Sequence, residues 1–161
     1  MHNKKYDQYY LFLDSEIILV ESFSKKIYLF AEKTNTQQIN IEYTTFNDHI
    51  EEINIVKLLI ENDESFFNYL DSEIIVGYNK ISPFVFNLVI SDENKQWSLF
   101  LSFSEEYGLF GCPKDLNNLF LNIFNPYEEL NPQKKLEIIC DRFIDDFERI
   151  KFINYIKKML T

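Results

Sequence analysis

The clearest pattern in the chain is a pair of runs in which large apolar residues recur at every second position. Residues 84–91 place Phe, Leu or Ile at alternate positions, residues 97–103 continue with Trp, Leu and Phe, and the polar residues 92–95 separate the two runs. A period of two is typical of a strand that buries one face. The pattern therefore predicts an antiparallel hairpin whose Trp97 face points at the core.

Shorter apolar runs predict further strands, most of them in the first third of the chain. Residues 16–21 and 26–31 are rich in Ile, Leu, Val, Tyr and Phe, and the four residues between them suit a hairpin connection. Residues 39–44 are expected to form a third strand, and residues 74–78 a further one.

Other segments change to a period of three or four residues, which is typical of amphipathic helices. We expect helices over residues 47–62, 63–70 and 115–124. Asn131-Pro132 then opens a long apolar stripe that continues almost to the end of the chain, since Asn favours the cap and Pro the first helical position. A break in that long helix is expected near residues 147–151.

These elements together predict an α+β fold. We expect an antiparallel β-sheet with helices packed on one face and a long C-terminal amphipathic helix. Residues 1–161 should form a single domain, because the length suits one and no Gly/Ser-rich or Pro-rich linker interrupts the chain.

Composition limits the class of protein. Hydrophobic residues make up 46% of the chain and Phe alone occurs 16 times, which excludes intrinsic disorder. The two cysteines cannot build a disulfide framework, and neither a signal peptide nor a run of apolar residues long enough for a membrane helix is present. We therefore expect a cytoplasmic protein that has no membrane partner.

Charge is concentrated in one part of the chain. The formal net charge is −10, and residues 42–73 hold nine acidic residues against Lys57 alone, which gives −8 for that segment. Binding to nucleic acid is not expected, because phosphate contacts need clustered Lys and Arg. An acidic face on the helices of this segment either keeps the protein soluble or serves as an electrostatic docking surface for a basic partner.

Catalytic signatures are weak. The three glycines form no phosphate-binding loop, and the chain has neither a Cys-x-x-Cys nor a His-x-x-x-His pattern for zinc. Cys112 with His49 could supply a nucleophile and base, and His49 with Asp48 and Glu52 could hold a metal ion. Both arrangements are more often ordinary structure, and no pair among the 26 acidic residues stands out for glycoside hydrolysis. We therefore expect a protein that is not an enzyme and needs no cofactor or metal.

In overall character this small, acidic, motif-poor chain, with a Trp-bearing hairpin followed by helices, resembles the immunity proteins of bacterial toxin systems, including those of contact-dependent inhibition. The resemblance implies a cognate protein toxin as partner, often a basic nuclease, whose active site or substrate groove is covered by carboxylates. The acidic segment suggests which residues bind it: Glu51, Glu52, Glu61, Asp63, Glu64 and Asp71, with Tyr69 as an aromatic anchor.

Two other binding functions fit the same sequence. A phage-encoded inhibitor of a host nuclease would use the same chemistry, and the abundance of residues with AT-rich codons suits a bacterium or a phage. A non-catalytic adaptor domain would instead dock through apolar surface, and its binding would depend little on salt.

Overall fold

The computed structural model describes residues 6–12, 21–47, 50–59, 61, 63–69, 84–103, 106–124 and 132–160. These residues form one six-stranded antiparallel sheet in the order β1-β6-β5-β4-β2-β3, together with five α-helices. The strands are β1 (Gln8–Phe12), β2 (Gln38–Asn47), β3 (Ile50–Leu59), β4 (Phe84–Asp92), β5 (Ser98–Ser102) and β6 (Tyr107–Cys112). The helices are α1 (Glu21–Lys33), α2 (Asp63–Tyr69), α3 (Asn117–Phe124), α4 (Pro132–Cys140) and α5 (Asp146–Leu160), and a 3₁₀ turn (Lys114–Leu116) precedes α3. The predicted α+β class is confirmed.

The predicted central hairpin is also confirmed. Strands β4 and β5 pair antiparallel, with Leu88 opposite Leu101 and Ile90 opposite Leu99. Trp97 is fully buried in the same cluster as these residues, so its face does point at the core. The strand expected over residues 39–44 is present as part of β2, whereas the one expected over residues 74–78 lies outside the described residues.

The expectation of a strand over residues 26–31 is wrong, because these residues belong to helix α1. Phe23, Ile27, Phe30 and Ala31 are all buried, and their spacing of four, three and one places them along one side of a helix. That apolar face packs on the sheet. Of the strand expected over residues 16–21, only Glu21 is described, and it begins α1.

The expectation of a helix over residues 47–62 is wrong as well, because residues 50–59 form strand β3. Ile53, Ile55 and Val56 are β-branched residues, which favour a strand. Ten pairs with β2, from Gln38 opposite Leu59 to Asn47 opposite Ile50, then fix the strand in a single register. The acidic segment is therefore not one helical unit.

The remaining helices follow the sequence closely, except that the C-terminal helix is divided. Helices α2 and α3 lie within the expected ranges, and α4 begins at Pro132 as expected. The chain leaves the helix after Cys140 and enters α5 at Asp146, earlier than the break expected near residues 147–151. Asp145 caps α5, since its Oδ1 accepts the backbone N–H of Phe147 at 2.7 Å and of Glu148 at 3.3 Å.

Helices cover both faces of the sheet, where we expected them on one. The larger cluster joins α1, α2 and α3 to one face through a set of aromatic and aliphatic side chains that includes Phe30, Phe66, Phe120 and Phe124. A smaller cluster joins α4 and α5 to the opposite face at the β1–β6 end. Strand β6 lies between the two clusters, which cover its opposite faces, so all six of its residues are buried.

Candidate binding surface

The sheet presents part of its second face to solvent. Helices α4 and α5 contact this face through Leu11, Tyr107 and Leu109, which lie on β1 and β6. Strands β3, β2 and β4 form the other half of the sheet. On these three strands, some side chains point away from α1, and we call the surface that they form the open face. The register places them on three adjacent strands: Asn40 and Glu42 on β2, Ile53, Ile55, Lys57 and Leu59 on β3, and Val89 and Ser91 on β4.

Aliphatic side chains on the open face are exposed to an unusual degree. Ile53 and Ile55 are each 62% exposed and Leu59 is 71% exposed, whereas Ile39 and Ile41 on the buried face of β2 are at most 1% exposed. A single exposed aliphatic side chain needs no explanation, but several on one side of one strand form a patch. Apolar patches of this kind are common at interaction surfaces.

A shallow hollow of about 180 Å³ lies on the open face. It is lined by Asn40, Glu42, Ile55, Lys57, Val89, Ser91 and Lys95. This volume is below the 300–1,000 Å³ that is typical of small-molecule sites. One carboxylate, the two ammonium groups of Lys57 and Lys95, and aliphatic walls suit contact with a protein side chain better than enclosure of a substrate.

The predicted binding residues fall on two consecutive elements. Glu51 and Glu52 stand on β3, opposite Phe46 and Thr45 of β2. Glu61 follows β3 and is exposed, Asp63 begins α2, and Glu64 in the first turn of α2 is exposed. Tyr69 ends α2, and Asp71 lies outside the described residues. The acidic residues thus belong to a sheet edge and to the helix that comes next along the chain.

Reasoning from the sequence missed the aliphatic part of this surface. A helix over residues 47–62 would place Ile53 and Leu59 on its buried stripe, and Glu42 and Ile55 are not among the predicted binding residues. The alternation of Ile53, Ile55, Lys57 and Leu59 was the available signal, because a strand with this pattern places all four on one side. The structure adds an apolar patch to what the sequence indicated only as an acidic segment.

The thiol of Cys112 is poorly suited to nucleophilic catalysis. It is fully buried at the end of β6. Burial above all, together with the negative charges of Asp115 and Asp7, raises its pKa from 9.0 to about 12. A nucleophilic cysteine needs the opposite shift, toward the thiolate. Its suggested base, His49, lies outside the described residues.

The sequence suggests Asp48, His49 and Glu52 as possible metal ligands. The first two lie outside the described residues, and the described part of the chain contains no group of three or more His, Cys, Asp or Glu residues that could hold a metal ion. None of the helices in the described segments is both long enough and apolar enough to cross a membrane.

Comparison of the chain with protein-family models, with curated proteins and with solved structures finds no match to any of them.

Proposed function

We propose that the protein is a bacterial immunity protein that binds a basic protein toxin in the cytoplasm and blocks its active site or substrate groove. The observation that carries the proposal is the pairing of exposed aliphatic and exposed acidic side chains in one stretch of chain. Ile53, Ile55 and Leu59 are exposed on the open face at β3, and Glu61 and Glu64 come a few residues later, with Glu64 on α2, which packs beside α1 on the other face. The proposed contact therefore extends around the end of β3.

The two kinds of side chain supply different parts of binding. Aliphatic area removed from water supplies affinity, at about 25 cal/mol per Å². Carboxylates steer a basic partner toward the surface and penalise acidic competitors. The net charge of −8 over residues 42–73 provides such a field. Carboxylates at suitable spacing also occupy positions that a nuclease offers to phosphate groups, so binding and inhibition follow from the same contacts.

The proposal is tested by recovering the tagged protein from its native cells at low salt. The expected result is a basic protein that co-purifies, is released as salt screens the charges, and is toxic or cleaves nucleic acid. Adding the protein back should suppress that activity in proportion to complex formed. A co-purifying host nuclease in phage-infected cells would establish the inhibitor function instead, and a partner without any activity to inhibit would contradict both.

Charge reversal then locates the contact. Glu61→Lys together with Glu64→Lys should weaken binding at least about tenfold, since each charge contact at an interface is commonly worth 1 kcal/mol or more. The matched control is Glu137→Lys with Asp141→Lys, on and just after α4, which packs against β1 at the opposite edge of the sheet. It changes the net charge equally and should leave affinity nearly unchanged. Equal losses in both double variants would show that only the total charge matters.

An adaptor function is favoured by a separate observation. Ile144 is fully exposed before α5, and Phe147 and Ile150 on α5 are more than half exposed. Phe147 and Ile150 are three residues apart, which places them on one side of α5. An adaptor that docks through this patch would bind its partner with little dependence on salt, and Phe147→Ser would weaken it while the Glu61 and Glu64 reversals would not.

A further inference from the structure

Strand β3 is an edge strand that is built regularly along its whole length. Among the described strands it has one neighbour, β2, and stands last in the sheet. Its ten pairs with β2 run from Ile50 to Leu59 without a register shift. By contrast, β2 and β4 do shift register, between Thr44 and Thr45. At every second residue, such a strand points its backbone N–H and C=O groups away from its neighbour.

Natural proteins usually protect such an edge against pairing with another strand. The usual means are Pro, a β-bulge, a very short strand, charged side chains along the edge, or a helix or loop that covers it. Among the described elements, β3 packs closely on β2 alone. Residues 50–59 contain no Pro and no Gly, and the unbroken register excludes a bulge between β2 and β3. Charges occur only near the two ends, at Glu51 and Glu52 and at Lys57. The uncharged centre, 53–56, is aliphatic except for Asn54.

We propose that β3 pairs antiparallel with β3 of a second copy of the same chain, around a two-fold axis at Asn54. The two sheets then join into one continuous sheet. A two-fold axis perpendicular to a sheet keeps each side chain on its own face, so it sets opposite each other only residues whose side chains share a face. The sequence numbers of two such residues differ by an even number. With the axis at Asn54, Ile53 stands opposite Ile55 of the second copy, and Glu51 stands opposite Lys57 of the second copy.

The sequence is self-complementary in this register alone. Each opposite-charge pair occurs twice by symmetry, as does each Ile–Ile pair, and cross-strand pairs of these types stabilise a sheet. Sliding the copies by two residues in one direction sets Ile53 opposite Lys57 and Glu51 opposite Leu59. Sliding them in the other direction sets Glu51 opposite Ile55. Both shifts remove the charge pairing, so complementarity of charge selects the register centred on Asn54.

The same pairing gives Ile53 and Ile55 new neighbours along the sheet, while their side chains stay on the open face that the proposed toxin would contact. Ile53 and Ile55, each 62% exposed, would be flanked by their counterparts in the second copy. Glu61 and Glu64 lie beyond the end of β3 and remain accessible. The dimer therefore does not depend on the toxin-binding function, and the two proposals can fail separately.

Sedimentation velocity over a wide concentration range tests the dimer. The wild-type chain should show a concentration-dependent monomer–dimer equilibrium. Glu51→Lys and Lys57→Glu should each weaken it by about tenfold or more, because two attractive pairs become two repulsive ones. The double variant should regain wild-type association. Glu61→Lys, which makes the same charge change as Glu51→Lys outside the strand, should associate as the wild type does.

Mixing the two single variants gives the sharpest result. Neither pairs well with itself, but a mixed pair has opposite charges at both contacts, so the mixture should form a heterodimer. This outcome also shows that both variants are folded, which circular dichroism of each checks independently. A wild-type chain that stays monomeric at its highest soluble concentration overturns the proposal. So does a dimer that both single variants leave intact, since that dimer would use another surface.

Discussion

The buried carboxylate of Asp92 accepts the backbone N–H of Trp97 at 3.0 Å, across the turn that joins β4 to β5. Its other oxygen accepts the backbone N–H of Asn94 at 3.1 Å. Lys95, within the turn, has a positive φ of 54° and donates its backbone N–H to the carbonyl of Asp92. One side chain thus fixes the turn that delivers Trp97 to the aromatic core.

Asp92→Ala should destabilise the protein by about 1–3 kcal/mol, because it leaves two donors without their acceptor in a buried turn. Asp92→Asn should cost less, since one carbonyl oxygen remains. Urea unfolding followed by Trp97 fluorescence measures both. Glu32→Ala, which removes an exposed carboxylate on α1, serves as the control and should stay within about 0.5 kcal/mol of wild type. Equal stability of Asp92→Ala and wild type would contradict the role assigned to this turn.

The β4–β5 hairpin was predictable because its local and tertiary requirements agree. Alternation puts Leu88, Ile90, Leu99 and Leu101 on one face, and that face is the one the helices cover. The helix start at Pro132 was predictable for a similar reason, since the missing N–H of proline costs nothing there. In both places the sequence pattern is compatible with only one local structure.

The wrong strand assignment in α1 and the wrong helix assignment in β3 come from segments in which apolar residues satisfy both periods. In α1, the short apolar run around Ile27 is compatible with a strand. The helix becomes evident only from the spacing of Phe23, Phe30 and Ala31, which are buried in the same cluster. In β3, Ile53 and Val56 fit a helical stripe, whereas Ile53 and Ile55 fit a strand edge. Pairing with β2 decided the second case, and this long-range contact is not visible in a local window.

The candidate surface was predictable only in its charge. Glu61 and Glu64 are exposed, as a docking role requires. The exposed aliphatic side chains could not be found by a reading that placed them in a helix, because that helix would have buried them. Exposure of Ile55 follows from its position on a sheet edge whose second face is left open, which is a property of the whole fold.

Gly111 leaves room for an aromatic ring. A Cβ at this position would lie 2.4 Å from Cδ2 of Tyr6, close to the base of that ring. Tyr6 is held by its hydroxyl, which donates to the carbonyl of Lys95 at 3.0 Å, so the ring has little freedom to retreat. Gly111→Ala should therefore cost about 1–3 kcal/mol through overpacking, measured by thermal or urea unfolding.

Gly108 on the same strand is the matched control. A Cβ there would lie 2.9 Å from Cδ2 of Leu101, which is the far end of a flexible side chain. Gly108→Ala should accordingly cost less than Gly111→Ala. Combining Gly111→Ala with Tyr6→Ala should cost less than the sum of the two single changes, because the contact is lost only once. Strict additivity would contradict the proposed clash.

Cys112 should make the protein sensitive to alkaline pH. Its pKa is about 12 in the folded chain against 9.0 for a free thiol. Between these values the unfolded chain loses the proton and the folded chain keeps it, so stability falls as pH rises, by at most about 1.4 kcal/mol per pH unit. The pKa of Tyr6 is also raised to about 12, chiefly by burial, and adds to the loss above pH 10.0.

Cys112→Ala isolates the contribution of the thiol. The variant will lose some stability from the smaller side chain at every pH, so the informative quantity is the slope of unfolding free energy against pH. Above pH 9.0 that slope should be less negative than in the wild type. Parallel slopes would show that the thiol is ionised in the folded chain as readily as in the unfolded one.

Lys135 gives a pH dependence of the opposite sign. This residue of α4 is buried, and its Nζ donates to the backbone carbonyl of Leu11 on β1 at 2.7 Å. Burial lowers its pKa below the usual 10.5. As pH rises toward 10.5, the folded chain releases this proton before the unfolded chain does, so the contribution of Lys135 to stability increases.

Lys135→Met removes that increase, and its stability relative to wild type should therefore decline from neutral pH to pH 10.5. Urea unfolding of both proteins across this range measures the effect, and a difference for Lys135→Met that does not change with pH would mean that burial leaves the ammonium group of Lys135 unperturbed.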